Sequence, residues 1–486
     1  MSERTVFSEA AWFRCSGALV GLAVLVTAPL LIHLTAAVQL DYSEGWNVIR
    51  QEKVAEGVAL YAEPPGLDET NYPPLSFHLV AVLHRFLGGD INLAGRIVSL
   101  LSLVALGGLA GWLVAQLTRS RAAGFSGAAI FLAAFSLWMP TRVAENDPQL
   151  PGMALELLGF CLALRYGGSG AGLWASAPLF ALAVFFKPNL IAVPLGVGTG
   201  LLCECAWPRL ILWGGIGLAV SSALYVFSVQ VDGPYFHTHL LWPRAYNFQG
   251  ASSQGGVFLI TWSPLIFLSG LFILRHHQTL NERMLGSAWL AALVLNYGFA
   301  GGDGVSQNIF FEALWLNAVM SIVALAELSD IWPKSWGRRS FALLALSSLL
   351  PLRLLPERVI DAVNSPHLTR LGAAEFAQGV DVLRTAPSPV VCENLLMCFN
   401  AGRASYFDPF FLGDQVKIDR MPADFMTSLV SAGTLGTVEI GDTDRPMQPR
   451  HRYDRFEPAF FAALAAHYQI VLQTPTVSIW ERKTTP

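Results

Sequence analysis

Asp41 and Glu44 stand three residues apart in LDYSEGW, directly after a long apolar run. Two acids in such a partly desolvated place can take a proton from an acceptor hydroxyl and hold a sugar; the plain alternative is a carboxylate pair that only ends a helix at an interface. Other polar residues recur at the edges of apolar runs, namely Asn71 and Tyr72 in NYPPL, Arg142, Glu145 and Asp147 in TRVAENDPQ, and Lys187 in FFKPN. Later come His237, His239 and Arg244 in GPYFHTHLLWPRAYNF, then Asp303, Gln307, Asn308 and Glu312 in GGDGVSQNIFFEA. An arginine can grip a phosphate with two parallel hydrogen bonds and a lysine can meet it as a point charge. Arg142, Arg244 and Lys187 are therefore candidates for a lipid-linked phosphate, against the alternative that each reaches for lipid headgroups. Asp147 either binds substrate or caps the following helix. Glu312, in an otherwise apolar stretch, is a site residue or the partner of a buried cation. His237 and His239 lack a third ligand at metal spacing, so no metal set is named, although a divalent cation is compatible with the acids.

The elements that must carry these residues are membrane helices. Of the 486 residues, 53% are hydrophobic and 14% charged, with mean hydropathy +0.47, well away from the roughly one-quarter charged composition of soluble domains. Apolar runs long enough to cross a bilayer fall at about 12–38, 91–117, 122–139, 149–165, 173–187, 190–206, 210–230, 254–274, 284–300, 309–328 and 340–356. The first is longer than a signal-peptide core and lacks a small-residue cleavage pattern, so it reads as a retained span. With the amino terminus inside, the inner connections hold Arg119, Arg121, Arg165, Arg209, Arg275, Arg283, Lys334, Arg338 and Arg339, and the outer ones only Arg142, Lys187 and Arg244. That is the asymmetry of the positive-inside rule. The stretch 73–88 is short, carries His78, His84 and Arg85, and fits a helix lying in the outer interface, which leaves a long outside loop over about 40–90.

The expectation is a polytopic α-helical membrane protein of about eleven spans over 1–356, followed by a small external α/β domain over 357–486. In the latter, VVCEN, ASYFDPF and YQIVLQTPTVSIW read as strands, and about 421–432 and 457–467 as helices. Cys392 and Cys398 can form a disulfide in an oxidising compartment or stay as buried thiols. A net charge of -4 gives none of the electrostatic attraction that nucleic-acid binding needs.

Reading that topology forward, the polar residues collect on one side, which suits a reaction at the outer face of the bilayer. A transporter, the alternative, should place polar groups near the midplane and in matching halves of a repeat. Neither a Rossmann glycine fingerprint nor a P-loop is present. Together, D41-Y-S-E44-G, Y61, N71-Y-P-P-L75, A144-E-N-D147, K187-P-N189 and G-V-S-Q-N308-I-F-F-E312 resemble the polyprenyl-phosphate-sugar-dependent membrane glycosyltransferases of the GT-C superfamily, which include lipid A aminoarabinose transferases and protein O-mannosyltransferases. The resemblance covers roughly residues 10–330. It implies a bacterial inner-membrane enzyme with a periplasmic active site, a polyprenyl-phosphate-sugar donor, and a lipid, glycan or protein acceptor. It also implies that Asp41 or Glu44 is the base and that Lys187 and Arg142 bind the donor phosphate. Several relatives carry a lysine just before PPL; here Asn71 and Tyr72 stand there, which moves the phosphate toward Lys187. The tail, with Glu393-Asn394 and the Asp408-Pro409-Phe410 turn, also looks like that of the bacterial branch, without an assigned role.

Overall fold

A computed structural model describes residues 9–64, 66–165, 170–331, 354–441 and 455–483. Helix α1 (Glu9–Thr27) runs on through a 3-10 stretch, Ala28–Thr35, and is followed by α2 (Tyr42–Ala55) and α3 (Leu75–Leu87). Then come α4 (Ile91–Thr118), α5 (Arg121–Trp138), α6 (Gln149–Arg165), α7 (Gly170–Phe186), α8 (Ala192–Cys203), α9 (Trp207–Val231) and the short α10 (Phe236–Leu240). The helical part closes with α11 (Phe248–Thr261), α12 (Ser263–Arg275), α13 (Leu280–Phe299) and α14 (Phe311–Ile331).

The chain is a multi-pass membrane protein. Five of the described helical stretches are long and apolar enough to cross a bilayer alone, and α11 with α12 makes a sixth if that bent pair is one span. The span expected at 254–274 is thus broken: the two helices meet at 78°, where Pro264 enters the first turn of α12 and lacks the N–H that would continue α11. Helices α6, α7, α8 and α13 stand at four more expected spans, with 17, 17, 12 and 20 residues. Residues 340–353 of the last expected span lie outside the described residues. Helix α3, about 20 Å long by its 13 residues, buries Phe77, Val80 and Ala81 and exposes Val82, Phe86 and Leu87, as an interface helix does.

Packing is centred on α14, which is almost wholly buried, while α9 lies uncovered at the edge. Helix α1 packs on α5, α4 on α5 and α6, α8 on α13, and α12 on α14. The large fully buried side chains Trp262 and Trp315 fill the centre, and Trp315 spends its indole N–H on the Leu106 carbonyl (2.9 Å).

After α15 (Leu355–Thr385), whose length runs through the expected boundary at 356, the chain builds a four-stranded sheet. Its strands are β1 (Val390–Cys392), β2 (Thr437–Gly441), β3 (Tyr468–Gln473) and β4 (Val477–Arg482) in the order β1-β2-β4-β3. The first pair is parallel and the others antiparallel, with Val438 opposite Trp480. Connecting helices are α16 (Leu395–Asn400), α17 (Pro409–Lys417), α18 (Phe425–Ser431) and α19 (Pro458–His467). The segment ASYFDPF is not a strand. Only Ser405 makes an isolated bridge, to Val390, and Asp408 caps α17 by accepting from the N–H groups of Phe410 and Phe411. Cys392 and Cys398 are joined in a disulfide.

Candidate active site

Helix α2 begins at the first acidic residues after α1, and the two acids have opposite surroundings. Asp41 is the N-cap: its Oδ1 accepts from Ser43 N–H (3.2 Å) and Ser43 Oγ (3.3 Å), and its Oδ2 meets the Arg142 guanidinium at 3.1 Å. The carboxylate keeps 38% of its side-chain surface open. Glu44, one turn on, is completely buried. Both its oxygens are taken: Oε1 by Arg96 Nε (2.8 Å) and Asn146 N–H (3.0 Å), Oε2 by Arg96 (2.7 Å) and Leu40 N–H (2.7 Å). Arg96 also donates to the carbonyls of Ala36 (2.5 Å) and Val38 (2.8 Å), which makes Glu44 the hub tying the end of α1, the start of α2, α4 and the loop before α6 together.

That loop is held by side-chain amides. Asn146 exchanges hydrogen bonds with Gln51 (2.8 Å each way) and donates to Asn92 (3.1 Å), while Asn47 donates to the Asn146 carbonyl (2.8 Å). From it, Glu145 accepts from Arg142 (2.5 Å) and Ser43 Oγ (2.5 Å). Arg142 bridges Glu145, Asp41 and Ser306 Oγ (3.1 Å), and Ser306 in turn donates to Asn308 (3.0 Å). Asp147 caps α6 through Gln149 N–H (2.7 Å) and pairs with Lys187 Nζ at 3.2 Å. The capping reading of Asp147 therefore holds, with Lys187 as its charged partner. Burial alone would push its carboxyl up, but the Lys187 ammonium and the Arg142 guanidinium outweigh it and hold it below the ordinary carboxylate range.

Lys187 lies 5.2 Å from the ring centre of Tyr72, and the Arg244 guanidinium lies 6.0 Å from the same ring. Two cations thus face one aromatic ring. Asn71 is half-buried in the same turn. Asp41, Arg142, Asp147, Lys187, Tyr72, Arg244 and Asn308 form one connected cluster. Gln307 points elsewhere, donating weakly to the Gln254 carbonyl (3.4 Å). Glu312 stands apart inside the helical part, where its carboxyl faces that of Glu156 rather than the cluster around Arg142. His239 binds Glu69 (2.6 Å) and the Ala62 carbonyl (2.8 Å) and so ties down the loop between α2 and α3, while His237 is only a neighbour of Thr238. Among the described residues no three His, Cys, Asp or Glu side chains converge to hold a metal ion.

Residue types and spacing did not reveal Arg96, Ser43 or Ser306. Arg96 carried a usable signal, since an ionisable residue within a span needs a partner.

No protein-family model and no curated protein matches the chain. Solved structures do. ArnT from Cupriavidus metallidurans bound to undecaprenyl phosphate aligns with TM-score 0.59 at 15% identity, over 96% of this chain and 98% of that one; its apo state aligns with TM-score 0.59 at 16% identity, over 95% and 98%. The Archaeoglobus fulgidus oligosaccharyltransferase aligns with TM-score 0.52 at 12% identity, over 95% of this chain and 73% of that one. The likeness is one of architecture, carried along nearly the whole chain, and it gives this protein the fold those structures share.

Proposed function

We propose that this protein transfers a sugar from a polyprenyl-phosphate donor to a lipid, glycan or protein acceptor at the outer face of the bacterial inner membrane, with the amino terminus cytoplasmic and residues 357–486 periplasmic. The observation that carries this reading is the contrast between Asp41 and Glu44: Asp41 keeps an open edge beside a cluster of cations, whereas every oxygen of Glu44 is occupied. Asp41 is the base and Glu44 the residue that fixes its helix. The acceptor oxygen attacks the anomeric carbon as Asp41 takes its proton, and the bond from that carbon to the phosphate oxygen breaks. The electron pair leaves on polyprenyl phosphate, whose charge is met by Lys187 and Arg244 across Tyr72. Arg142 holds the Asp41 carboxylate in place and links it to the Asp147–Lys187 pair. The ArnT structure with undecaprenyl phosphate and the disulfide in the tail, at home in an oxidising compartment, support the donor class and the outside placement.

The transporter reading draws support from Glu156 and Glu312, two acids buried within the helices. The deciding experiment measures sugar transfer from polyprenyl-phosphate donors by wild type and by Asp41→Asn in detergent, together with mass spectrometry of envelope glycans and lipids with and without the protein. Transfer that depends on Asp41 sustains the enzyme. Undiminished transfer by Asp41→Asn overturns the proposed base, and an unchanged envelope with no transfer by wild type overturns the enzyme.

A further inference from the structure

The Asp408-Pro409-Phe410 turn, left without a role by the reaction, opens helix α17, and that one helix touches three of the loops that carry the candidate site. Toward the first loop, the Tyr42 hydroxyl donates to Asp408 Oδ1 at 2.6 Å, directly beside Asp41, and Asp408 N–H donates to the Leu67 carbonyl at 2.9 Å. Toward the loop of Arg244, Asp414 accepts from Ala245 N–H (3.0 Å) and Gln415 accepts from the Trp242 indole (2.7 Å). Toward the loop of Ser306, Lys417 pairs with Asp303 at 2.7 Å, and the Phe410 ring lies where a Cβ on Gly304 would be. Gly304 is further committed to glycine by its φ of +72°. The two latter loops are also joined to each other by Asp303 N–H to the Ala245 carbonyl (2.9 Å) and Asn247 N–H to the Gly301 carbonyl (2.7 Å). Behind α17, Arg455 lies over the Tyr42 ring at 4.1 Å, held by Glu393 at 2.9 Å. The backbone of Leu395 and Leu396 meets α2 at Gly45 so closely that any side chain there would overlap it.

We propose that Asp408 and Phe410 are positioning residues of the transfer reaction: through Tyr42 and Gly304 they set the first and last outer loops, and hence Asp41 and the Ser306 partner of Arg142, at their working separation. This rests on the glycosyltransferase reading above. Side chains that hold a base in register act on turnover rather than on donor affinity, because a small displacement of a reacting group costs rate.

The test uses the full-length protein in detergent with a polyprenyl-phosphate-sugar donor. Tyr42→Phe loses about tenfold in kcat, the scale of one hydrogen bond, and Asp408→Asn, whose amide oxygen accepts the same bond more weakly than a carboxylate, loses less, both with donor KM within about twofold. The double variant is no worse than Tyr42→Phe alone, since in that variant the bond is already gone. Phe410→Ala loses more. Glu457→Gln weakens the cap that accepts from the Met426 and Thr427 N–H groups, away from α17; it lowers thermal stability and leaves kcat unchanged, which separates positioning from general loosening of the tail. Full kcat in both Tyr42→Phe and Asp408→Asn, or an equal kcat loss in Glu457→Gln, overturns the inference. Hydrogen exchange gives a readout free of the assay: the backbone amides of 42–47 and 304–308 lose protection in Phe410→Ala and keep it in Glu457→Gln. If wild type transfers no sugar, the functional reading fails, while the exchange result still decides whether α17 holds the loops. Unchanged exchange in Phe410→Ala overturns the inference whatever the activity.

Discussion

The two ends of the first turn of α2 hold the same chemistry, a carboxylate against a guanidinium, and put it to opposite uses. Around Glu44 and Arg96 every lone pair and nearly every N–H is spent, and both side chains are buried. Around Asp41 and Arg142 the acid stays partly open, and the arginine is shared among Asp41, Glu145 and Ser306. A sealed pair of this kind organises a fold, because removing one partner strands a charge in a low dielectric. An open pair can exchange one partner for substrate. The difference teaches that enclosure, and not residue type or spacing, assigns the role.

The strongest way to break that comparison is to neutralise each acid in turn. Asp41→Asn is expected to lose about 10²–10⁴-fold in transfer rate with an unchanged thermal midpoint. Glu44→Gln is expected to lose about 3–5 kcal/mol of stability, as a severed buried pair does, seen as a large fall in the detergent melting midpoint and poor accumulation in the membrane. If Glu44→Gln melts like wild type and Asp41→Asn does not, the two roles are reversed.

Lys187 sharpens the comparison from the cation side. Lys187→Ala is expected to lose affinity for polyprenyl phosphate and most activity, and Lys187→Arg to recover part of both, since charge survives while geometry changes. Direct binding of polyprenyl phosphate to the two variants checks this, and wild-type binding by Lys187→Ala would reduce the residue to a structural partner of Asp147.

Glu439 supplies a third case, an acid sealed without a cation on its free oxygen. Its Oε2 accepts from Asn394 N–H (2.8 Å), its Oε1 has no donor among the described residues, and burial, with help from Glu393, pushes its carboxyl up to about 8. An ordinary carboxyl ionises near 4.3. Between those values the folded chain holds a proton that the unfolded chain has released, so stability declines as pH rises from about 4.5 to 8. Glu439→Gln is expected to flatten that decline modestly, measured as the melting midpoint at pH 5 and pH 8. An undiminished slope would place the pH dependence in other groups.

Much of the site was legible because Asp41, Arg142, Asp147 and Lys187 are ionisable residues at the ends of apolar runs, where an unpaired charge is costly. What stayed hidden is whatever depends on a distant partner. Arg96 reads as one charge in a span until it meets Glu44, 52 residues away. Glu312 looked the equal of the other acids, yet it faces Glu156 rather than the cluster, a matter of helix rotation that spacing does not report. The bend between α11 and α12 hides in a continuous apolar run interrupted by one proline. ASYFDPF has the aromatic content of a strand, but an Asp-Pro pair also supplies a helix cap and a first helical residue, and that local chemistry prevailed.

The bond between Tyr42 and Asp408 joins residues 366 positions apart, and this has a consequence for biosynthesis. Chains emerge from the ribosome at about 5–20 residues per second, so α2 waits on the order of tens of seconds for the helix that clasps it. During that interval the membrane helices can insert and pack, because their contacts are mostly with earlier or neighbouring helices. The loops that α17 touches, however, lack its contacts until then. A nascent chain would therefore mature from the membrane helices outward, with these loops clasped only once the tail has been made and folded.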